Sequence, residues 1–178
     1  LERAQSGSGA YDYQGFERGV REIEVEKAPY FLPFLFGERC PGWREDRKGG
    51  FFDLQAAHNE YDLYYSVLEG TLFNIYHCYR ILIELGGAPE EIIISGGIMN
   101  SEFWLQMAAD IFGRELSTTG YTNDSTVGAA LIALQAIGGI ERIEDYLPRG
   151  AGRITPSPKR RELYQKRFQR YLELYKLT

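Results

Sequence analysis

The sequence predicts an α/β fold, in which helices pack on a short sheet. Helical and strand patterns alternate along the second half of the chain, an order typical of this class. The run Ile92–Ile94 is apolar and β-branched, as expected of a strand covered on both faces. Only two or three strands can be found, which is few for a complete sheet.

The length, charge and cysteine content of the chain limit the kinds of protein that it can be. With 178 residues, 44% of them hydrophobic, the chain is long enough for one domain with a substantial core. A net charge of −5 argues against general attraction to nucleic acid or anionic lipid. Two cysteines are too few for a disulfide framework, so a reducing, cytoplasmic location is expected. The apolar stretch 63–83 contains Glu69 and Arg80, so a membrane span is not expected.

The first third of the chain is predicted to be irregular. Residues 1–28 are assigned to a linker or domain-start helix, with a short helix over 13–25 that two glycines weaken. The apolar run Tyr30–Phe36 contains Pro33, which predicts an edge strand or an extended segment. Residues 37–56 are predicted to form a loop.

A long helix is predicted from Asn59 or Asp62 to Leu85, ended by two glycines. Apolar residues three or four apart predict its buried stripe, which comprises Tyr64, Leu68, Leu72, Ile75, Tyr79 and Leu82.

Three further helices and one strand are predicted downstream. Asn100 or Ser101 is expected to cap a helix with an inner face of Phe103, Met107 and Ile111. A strand is expected over Glu115–Thr118, and a helix capped by Asp124 or Ser125 follows it. After a loop, Ser157 and Pro158 should begin a terminal helix, whose stripe is Tyr164, Phe168, Tyr171 and Tyr175.

The turn at Ser95, Gly96 and Gly97 has two interpretations. Glycines after a buried strand let a ligand approach the backbone, and the next helix offers free N–H groups. Alternatively, the glycines only fit a tight connection, which the turn by itself favours. Dinucleotide and phosphate-loop spacings are absent here.

Other polar residues also leave alternatives open. In "FGERCPGW", Arg39 could hold an anionic or hydroxylated ligand, or an ion pair could fix the loop. Glu69 and Gly70, in the middle of a helix, suggest that another segment packs there and is hydrogen-bonded by Glu69. Asp110 is expected to face solvent or cap a turn.

Metal and nucleic-acid sites are not favoured. The two histidines lack metal-ligand spacing, so no metal is expected. From Ser157 onward, seven basic residues stand against two acidic ones. They surround an aromatic stripe, so a solvated helix face is favoured over a nucleic-acid site.

Five motifs occur in the order and spacing of one known family. They are "LPFLFGERCPGW", "GGFFDL", "VLEGTLFNIYHC", "ISGGIMNSEFWLQMAADIFG" and "STVGAALIAL". Together they resemble the carboxy-terminal half of FGGY carbohydrate kinases, and within that family most resemble gluconokinases, with xylulokinases next. The resemblance implies a partial actin/hexokinase/Hsp70-like (ribonuclease H-like) domain over residues 29–178, without its opening strands.

The resemblance also implies an activity and its site. FGGY kinases transfer the γ-phosphoryl group of ATP, with Mg²⁺, to a sugar or sugar acid. By position, Gly96 and Gly97 line the adenosine, next to Ile98, Asn100 and Ser101. Glu38 and Arg39 match a loop on the substrate side, whereas Gly128 and Ala129 match the hinge.

Two departures from the family qualify these expectations. Ile98 stands where many members have a third glycine, so it should narrow the space by the adenine, and Asn100 replaces a basic residue. The aspartate base and both phosphate loops are missing, so the chain is expected to be an inactive fragment that needs an amino-terminal domain or self-associates. Alternatives are a xylulokinase-like fragment, a non-catalytic nucleotide-binding module and, with least support, a nucleic-acid-binding domain.

Overall fold

A computed structural model describes residues 12–119, 123–146 and 152–178, and its elements are α/β as predicted. In chain order they are α1 (Tyr13–Val20), β1 (Tyr30–Leu32), β2 (Gly50–Phe52), α2 (Glu60–Gly86), β3 (Ile93–Ile94), α3 (Glu102–Phe112), β4 (Leu116–Thr118), α4 (Asp124–Ala136), β5 (Gly152–Ile154) and α5 (Pro158–Leu177). The chain divides into two compact units. The first contains residues up to Ala88 together with Pro158–Thr178, and the second contains Pro89–Ser157.

Helix α2 is the longest element of the first unit, and both of its ends follow from the sequence. The Asn59 side chain accepts hydrogen bonds from the N–H groups of Tyr61 and Asp62, and the Asp62 carboxylate accepts one from the N–H of Asn59. This reciprocal capping box satisfies donors that a helix start leaves free. Gly87, with φ of +80°, ends the helix. The predicted start at Asn59 and the glycine stop are confirmed.

The buried face of α2 differs from the predicted stripe. Ile75 and Leu82 are 50% and 64% exposed, so they were wrongly assigned to the core. Tyr65 and Phe73 are fully buried instead. Apolar residues cover more than one side of this helix, so spacing alone permits several stripes, and the segments packed against it decide which one is buried.

Strand β1 crosses directly over α2 at Gly70. A Cβ atom at Gly70 would lie only 2.1 Å from the carbonyl oxygen of Phe31, so only glycine allows this approach. The prediction that a segment packs at Gly70 is confirmed. That Glu69 hydrogen-bonds this segment is wrong, because the partners of its carboxylate are Arg167 of α5 and Tyr65. Strand β1 ends before Pro33 and pairs antiparallel with β2, Tyr30 opposite Phe52. Residues 50–52 were therefore wrongly predicted to be loop.

Helix α5 covers α2 with aromatic rings. The Phe73 ring of α2 lies 5.4 Å from the rings of both Phe168 and Tyr171, centroid to centroid. The predicted stripe of α5 is confirmed for Tyr164, Phe168 and Tyr171, whereas Tyr175 is half-buried. Helix α1 ends at Val20, shorter than predicted, and is held by contact of Phe16 with Tyr61 and Tyr64 of α2.

The second unit contains a mixed three-stranded sheet in the order β3-β4-β5. Strand β3 runs parallel to β4, and β5 runs antiparallel to it. The β4 prediction is confirmed, but β5 was wrongly placed in a loop. Strand β3 lies at an edge of the sheet, and Ile93 is 48% exposed. The expectation that this strand is covered on both faces is therefore wrong.

Helix α3 supplies the core of the second unit. The Ser101 hydroxyl oxygen accepts a hydrogen bond from the N–H of Trp104 and caps the helix, as predicted. The predicted inner face is confirmed, since Phe103, Met107 and Ile111 are buried.

Asp110 of α3 is fully buried, so the alternative that it faces solvent is wrong. Its Oδ1 accepts hydrogen bonds from the N–H of Ser157, at 2.7 Å, and from Nε2 of Gln106, at 2.9 Å. The carboxylate thus fixes the backbone immediately before α5.

Helix α4 buries little of its apolar surface. Of its residues only Leu131 is buried, whereas Ile132 and Leu134 are 63% and 41% exposed. Asn123 occupies its N-cap position without a capping hydrogen bond from its side chain, so the predicted cap at Asp124 or Ser125 is wrong. Ala129 is exposed, and a Cβ at Gly128 would meet no atom within 4 Å. Their assignment to a hinge stays a prediction. In the described part of the chain, every helix is too short or too polar to cross a membrane.

Candidate functional site

A cleft of about 560 Å³ opens in the second unit at the carboxyl ends of two parallel strands. One wall is the turn after β3, from Ser95 to Asn100, and the other is Thr119, which follows β4 directly. Because β3 and β4 are parallel, their following loops meet at one edge of the sheet. That edge is where ligands bind in open α/β sheets.

The glycine turn presents bare backbone to this cleft. Gly96 has a φ of +89°, in the left-handed region that favours glycine. A Cβ atom at Gly96 or Gly97 would meet none of the described residues within 4 Å, so packing against those residues does not account for the two glycines. Of the two interpretations of the turn, this geometry favours the one in which a ligand approaches the backbone.

The opposite wall of the cleft carries polar side chains from the start of α4. The Thr119 hydroxyl donates a hydrogen bond of 2.8 Å to Oδ2 of Asp124. Oδ1 of Asp124 is buried and accepts no hydrogen bond in the part of the chain that the structure describes. A buried carboxylate oxygen without a donor is costly, and a ligand hydroxyl or N–H could supply one.

Some of the other residues predicted for this site line the cleft, and others do not. Asn100 lines the cleft. Ile98 is buried, so its predicted narrowing of the cleft has no support in this geometry. Ser101 caps α3 and is not among the lining residues. Met99, Asn123 and Thr126, which the sequence interpretation did not single out, line it instead.

The loop with Glu38 and Arg39 lies in the first unit, and the structure separates the roles of its two charges. Glu38 is 2% exposed. Its Oε1 accepts hydrogen bonds from the N–H of Gly42, at 2.8 Å, and from the Tyr175 hydroxyl, at 2.6 Å. Arg39 is exposed. Glu38 therefore fixes the loop, whereas Arg39 is the exposed charge of the two.

An ion pair does fix this loop, but its cation is Arg47. Nη1 of Arg47 lies 3.3 Å from Oε2 of Glu38, and both side chains are buried. The guanidinium also lies over the Tyr175 ring, 3.7 Å from its centroid, a favourable cation–π contact. Burial and the hydrogen bond to Glu38 raise the pKa of Tyr175 to about 12, so this tyrosine keeps its proton throughout the physiological range and donates a hydrogen bond to Glu38.

No three histidine, cysteine, aspartate or glutamate side chains cluster as a metal site within residues 12–119, 123–146 and 152–178. Nδ1 of His58 accepts from the N–H of Gln55, and its Nε2 lies 2.9 Å from the carbonyl oxygen of Lys27. This histidine ties two loop segments together.

A family model for the carboxy-terminal domain of the FGGY carbohydrate kinases matches residues 13–137. The chain belongs to this family. Gluconokinase of Bacillus subtilis (strain 168) is 36% identical over 115 residues, which are 64% of this chain and 22% of that protein. Xylulose kinase of Escherichia coli (strain K12) is 32% identical over 161 residues, 85% of this chain and 33% of that protein.

Two solved kinase structures show the same fold. Gluconate kinase from Lactobacillus acidophilus matches with a TM-score of 0.81 at 28% identity, over 99% of this chain and 37% of that one. Xylulose kinase from the same organism matches with a TM-score of 0.81 at 29% identity, over 92% of this chain and 34% of that one. The chain thus spans between about a fifth and two fifths of the length of these FGGY relatives.

Proposed function

We propose that this FGGY domain supplies the adenosine-binding side of an ATP-dependent carbohydrate kinase. The cleft at the carboxyl ends of β3 and β4 carries the proposal, because Gly96 and Gly97 leave its wall free of side chains. A flat base can lie against such a wall. A hydroxyl or N–H group of the ligand could donate a hydrogen bond to the buried Oδ1 of Asp124. Asn100 is assigned to the rim of the adenosine site.

The proposed kinase has two domains, of which this chain is the carboxy-terminal one over residues 29–178. Phosphoryl transfer needs a positioned base, a metal and phosphate clamps acting together, and we assign the base and most sugar contacts to an amino-terminal domain. Arg39 would face the substrate side, and Gly128 with Ala129 would form the hinge. Mg²⁺ would arrive with ATP, since the described residues offer it no cluster of ligands.

Gluconate is the proposed phosphoryl acceptor. The support is the 36% identity to a gluconokinase, the highest of the four sequence identities given above. Xylulose is the second candidate, because an xylulose kinase aligns over a larger share of the chain, 85% against 64%.

Binding measurements on the 178-residue chain test the adenosine assignment. In isothermal titration we expect heat from ATP and ADP but none from tripolyphosphate, which carries the phosphates without adenosine. Equal binding of tripolyphosphate, or no binding of ATP and ADP, would count against the assignment. Asp124→Asn keeps the side-chain shape and should weaken ADP binding.

The acceptor is tested with the amino-terminal domain present. A coupled assay with ATP-Mg should give turnover on gluconate exceeding that on xylulose, and the reverse order would favour the second candidate. The 178-residue chain alone should show no sugar-dependent turnover. Turnover by that chain alone would overturn the assignment of the base to another domain.

A further inference from the structure

The two cysteines of the chain are brought together by the network around Glu38. Residues 38–42 are closed into a tight loop because Oε1 of Glu38 accepts the N–H of Gly42 at 2.8 Å. Cys40 lies in the middle of this loop and is exposed. The loop is anchored to α5 by the hydrogen bond from the Tyr175 hydroxyl to Glu38.

The same tyrosine contacts α2 beside the second cysteine. The Tyr175 ring lies 4.8 Å from the His77 ring, centroid to centroid, in an edge-on contact. Cys78 follows His77 in α2 and is half-buried. The two thiols lie close enough to interact electrostatically. Two segments that are 38 positions apart in the sequence therefore present neighbouring thiols on one side of the first unit.

We propose that Cys40 and Cys78 form a reversible disulfide when the chain meets a low-molecular-weight disulfide such as oxidised glutathione. The Cys40 thiolate attacks one sulfur of glutathione disulfide, forming a mixed disulfide and releasing one glutathione thiolate. The Cys78 thiolate then attacks the Cys40 sulfur, closes the protein disulfide and releases the second. Two protein thiols are oxidised, and one glutathione disulfide is reduced to two thiols.

The environments of the two cysteines set the order of these steps. Cys40 is exposed, so it meets the oxidant first. Burial, followed by the interaction with Cys40, raises the pKa of Cys78 to about 12. Because the thiolate is the nucleophile, ring closure by Cys78 is the slow step at neutral pH and becomes faster as the pH rises.

The disulfide would tie the loop that bears Arg39 covalently to the middle of α2. It is a modification site independent of the adenosine cleft, which lies in the second unit. A disulfide in a reducing compartment is expected to be transient and to respond to redox conditions.

The experiment equilibrates the intact 178-residue chain in mixtures of reduced and oxidised glutathione, quenches with acid and measures the intact mass. We expect a product lighter by about 2 Da, the loss of two hydrogens, that dithiothreitol restores. Cys78→Ser should stop at a glutathione adduct on Cys40, and Cys40→Ser should show no internal disulfide. A stable glutathione adduct or a disulfide-linked dimer as the end product of the unsubstituted chain would overturn the proposal.

A comparison with the unfolded chain shows whether the fold creates the pair. The equilibrium constant for disulfide formation against glutathione is measured in buffer and again in concentrated urea. Since the native contact raises the effective concentration of one thiol at the other, we expect a value at least about tenfold higher in buffer. A constant no higher in buffer than in urea would show that the folded structure does not favour the disulfide.

Discussion

Arg167 of α5 and Glu69 of α2 form a buried ion pair that is hydrogen-bonded at two points. Nε of Arg167 lies 2.6 Å from Oε1 of Glu69, and Nη2 lies 2.7 Å from Oε2. The side chains are only 4% and 1% exposed. The guanidinium also donates to the carbonyl oxygens of Ala28 and Pro29. The pair therefore fixes the chain that enters β1 against both long helices.

Removing one member of this pair should lower the stability of the fold. Glu69→Gln leaves the Arg167 charge buried without its counter-ion, and we expect the free energy of unfolding to fall by about 3–5 kcal/mol. Urea unfolding followed by circular dichroism measures the loss.

The exposed pair of Lys166 and Glu162 on the same helix provides the control. Glu162→Gln should change the unfolding free energy by no measurable amount, since exposed pairs contribute little. The double variant Glu69→Leu with Arg167→Met should lose less unfolding free energy than the sum of the losses in the two single variants. If the two losses simply add, Glu69 and Arg167 are not energetically coupled.

The close approach at Gly70 predicts an unusual response to alanine. Gly70→Ala places a methyl group against the carbonyl oxygen of Phe31, and displacement of β1 should cost about 3 kcal/mol. Gly86→Ala, in the last turn of the same helix, meets no neighbour within 4 Å and should be neutral or stabilise by up to about 1 kcal/mol. Thermal unfolding compares the two variants, and equal midpoints would contradict the packing at Gly70.

His77 should make the stability depend on pH. Burial lowers its pKa below the ordinary 6.5, so the unfolded chain takes up this proton at a higher pH than the folded chain does. Stability is therefore lost as the pH falls through 6.5 towards the folded value. His77→Phe keeps an aromatic ring against Tyr175 and Phe168 but cannot titrate. The midpoint of unfolding should fall less with decreasing pH in the variant than in the unsubstituted chain. The same dependence on pH in both proteins would exclude His77 as the cause.

Filling the glycine wall should block adenosine without unfolding the domain. Gly97→Leu projects a side chain into open space, so we expect the affinity for ADP to fall at least about tenfold, or by 1.4 kcal/mol. Gly86→Leu also enters open space but lies in the first unit, outside the residues that line the cleft, and should leave the affinity unchanged. Titration calorimetry compares them, with the melting temperature as the control for folding. Equal affinities would remove Gly97 from the site.

The open edge of β3 predicts self-association. Ile93 is 48% exposed on a strand that pairs on one side only within the described residues, and such edges invite pairing between chains. Sedimentation should show weight-average mass rising with concentration. Ile93→Lys should reduce that rise, whereas Ile137→Lys, at an exposed position outside the strands, should not. A monomer at every concentration would contradict the prediction.

The sequence predicted those elements whose signals are local. Asn59, Ser101 and Pro158 mark helix starts correctly, because capping and proline preferences depend on adjacent residues. Strands β2 and β5 could not be predicted in this way. Each has three residues and begins with glycine, which is too short for a periodic pattern, and each exists because a partner strand lies beside it.

The same distinction applies to the candidate site. The turn at Gly96 was found because glycines after an apolar run are a local signal. Thr119 and Asp124 were missed as cleft residues, although Thr119 directly follows a correctly predicted strand. Parallel pairing of β3 with β4 would have placed it beside the turn, but a sequence does not state which strands pair. Likewise, nothing local distinguishes the buried Arg167 from the exposed basic residues around it.

The contact between Tyr175 and Glu38 has a consequence for synthesis of the chain on the ribosome. The two residues are 137 positions apart, and Glu38 emerges first. The first unit is built from both ends of the chain, whereas the second is a continuous segment between them. The second unit can therefore fold during translation. The loop around Cys40 cannot form its contact with α5 until that helix has been synthesised, so Glu38 lacks its Tyr175 partner until then.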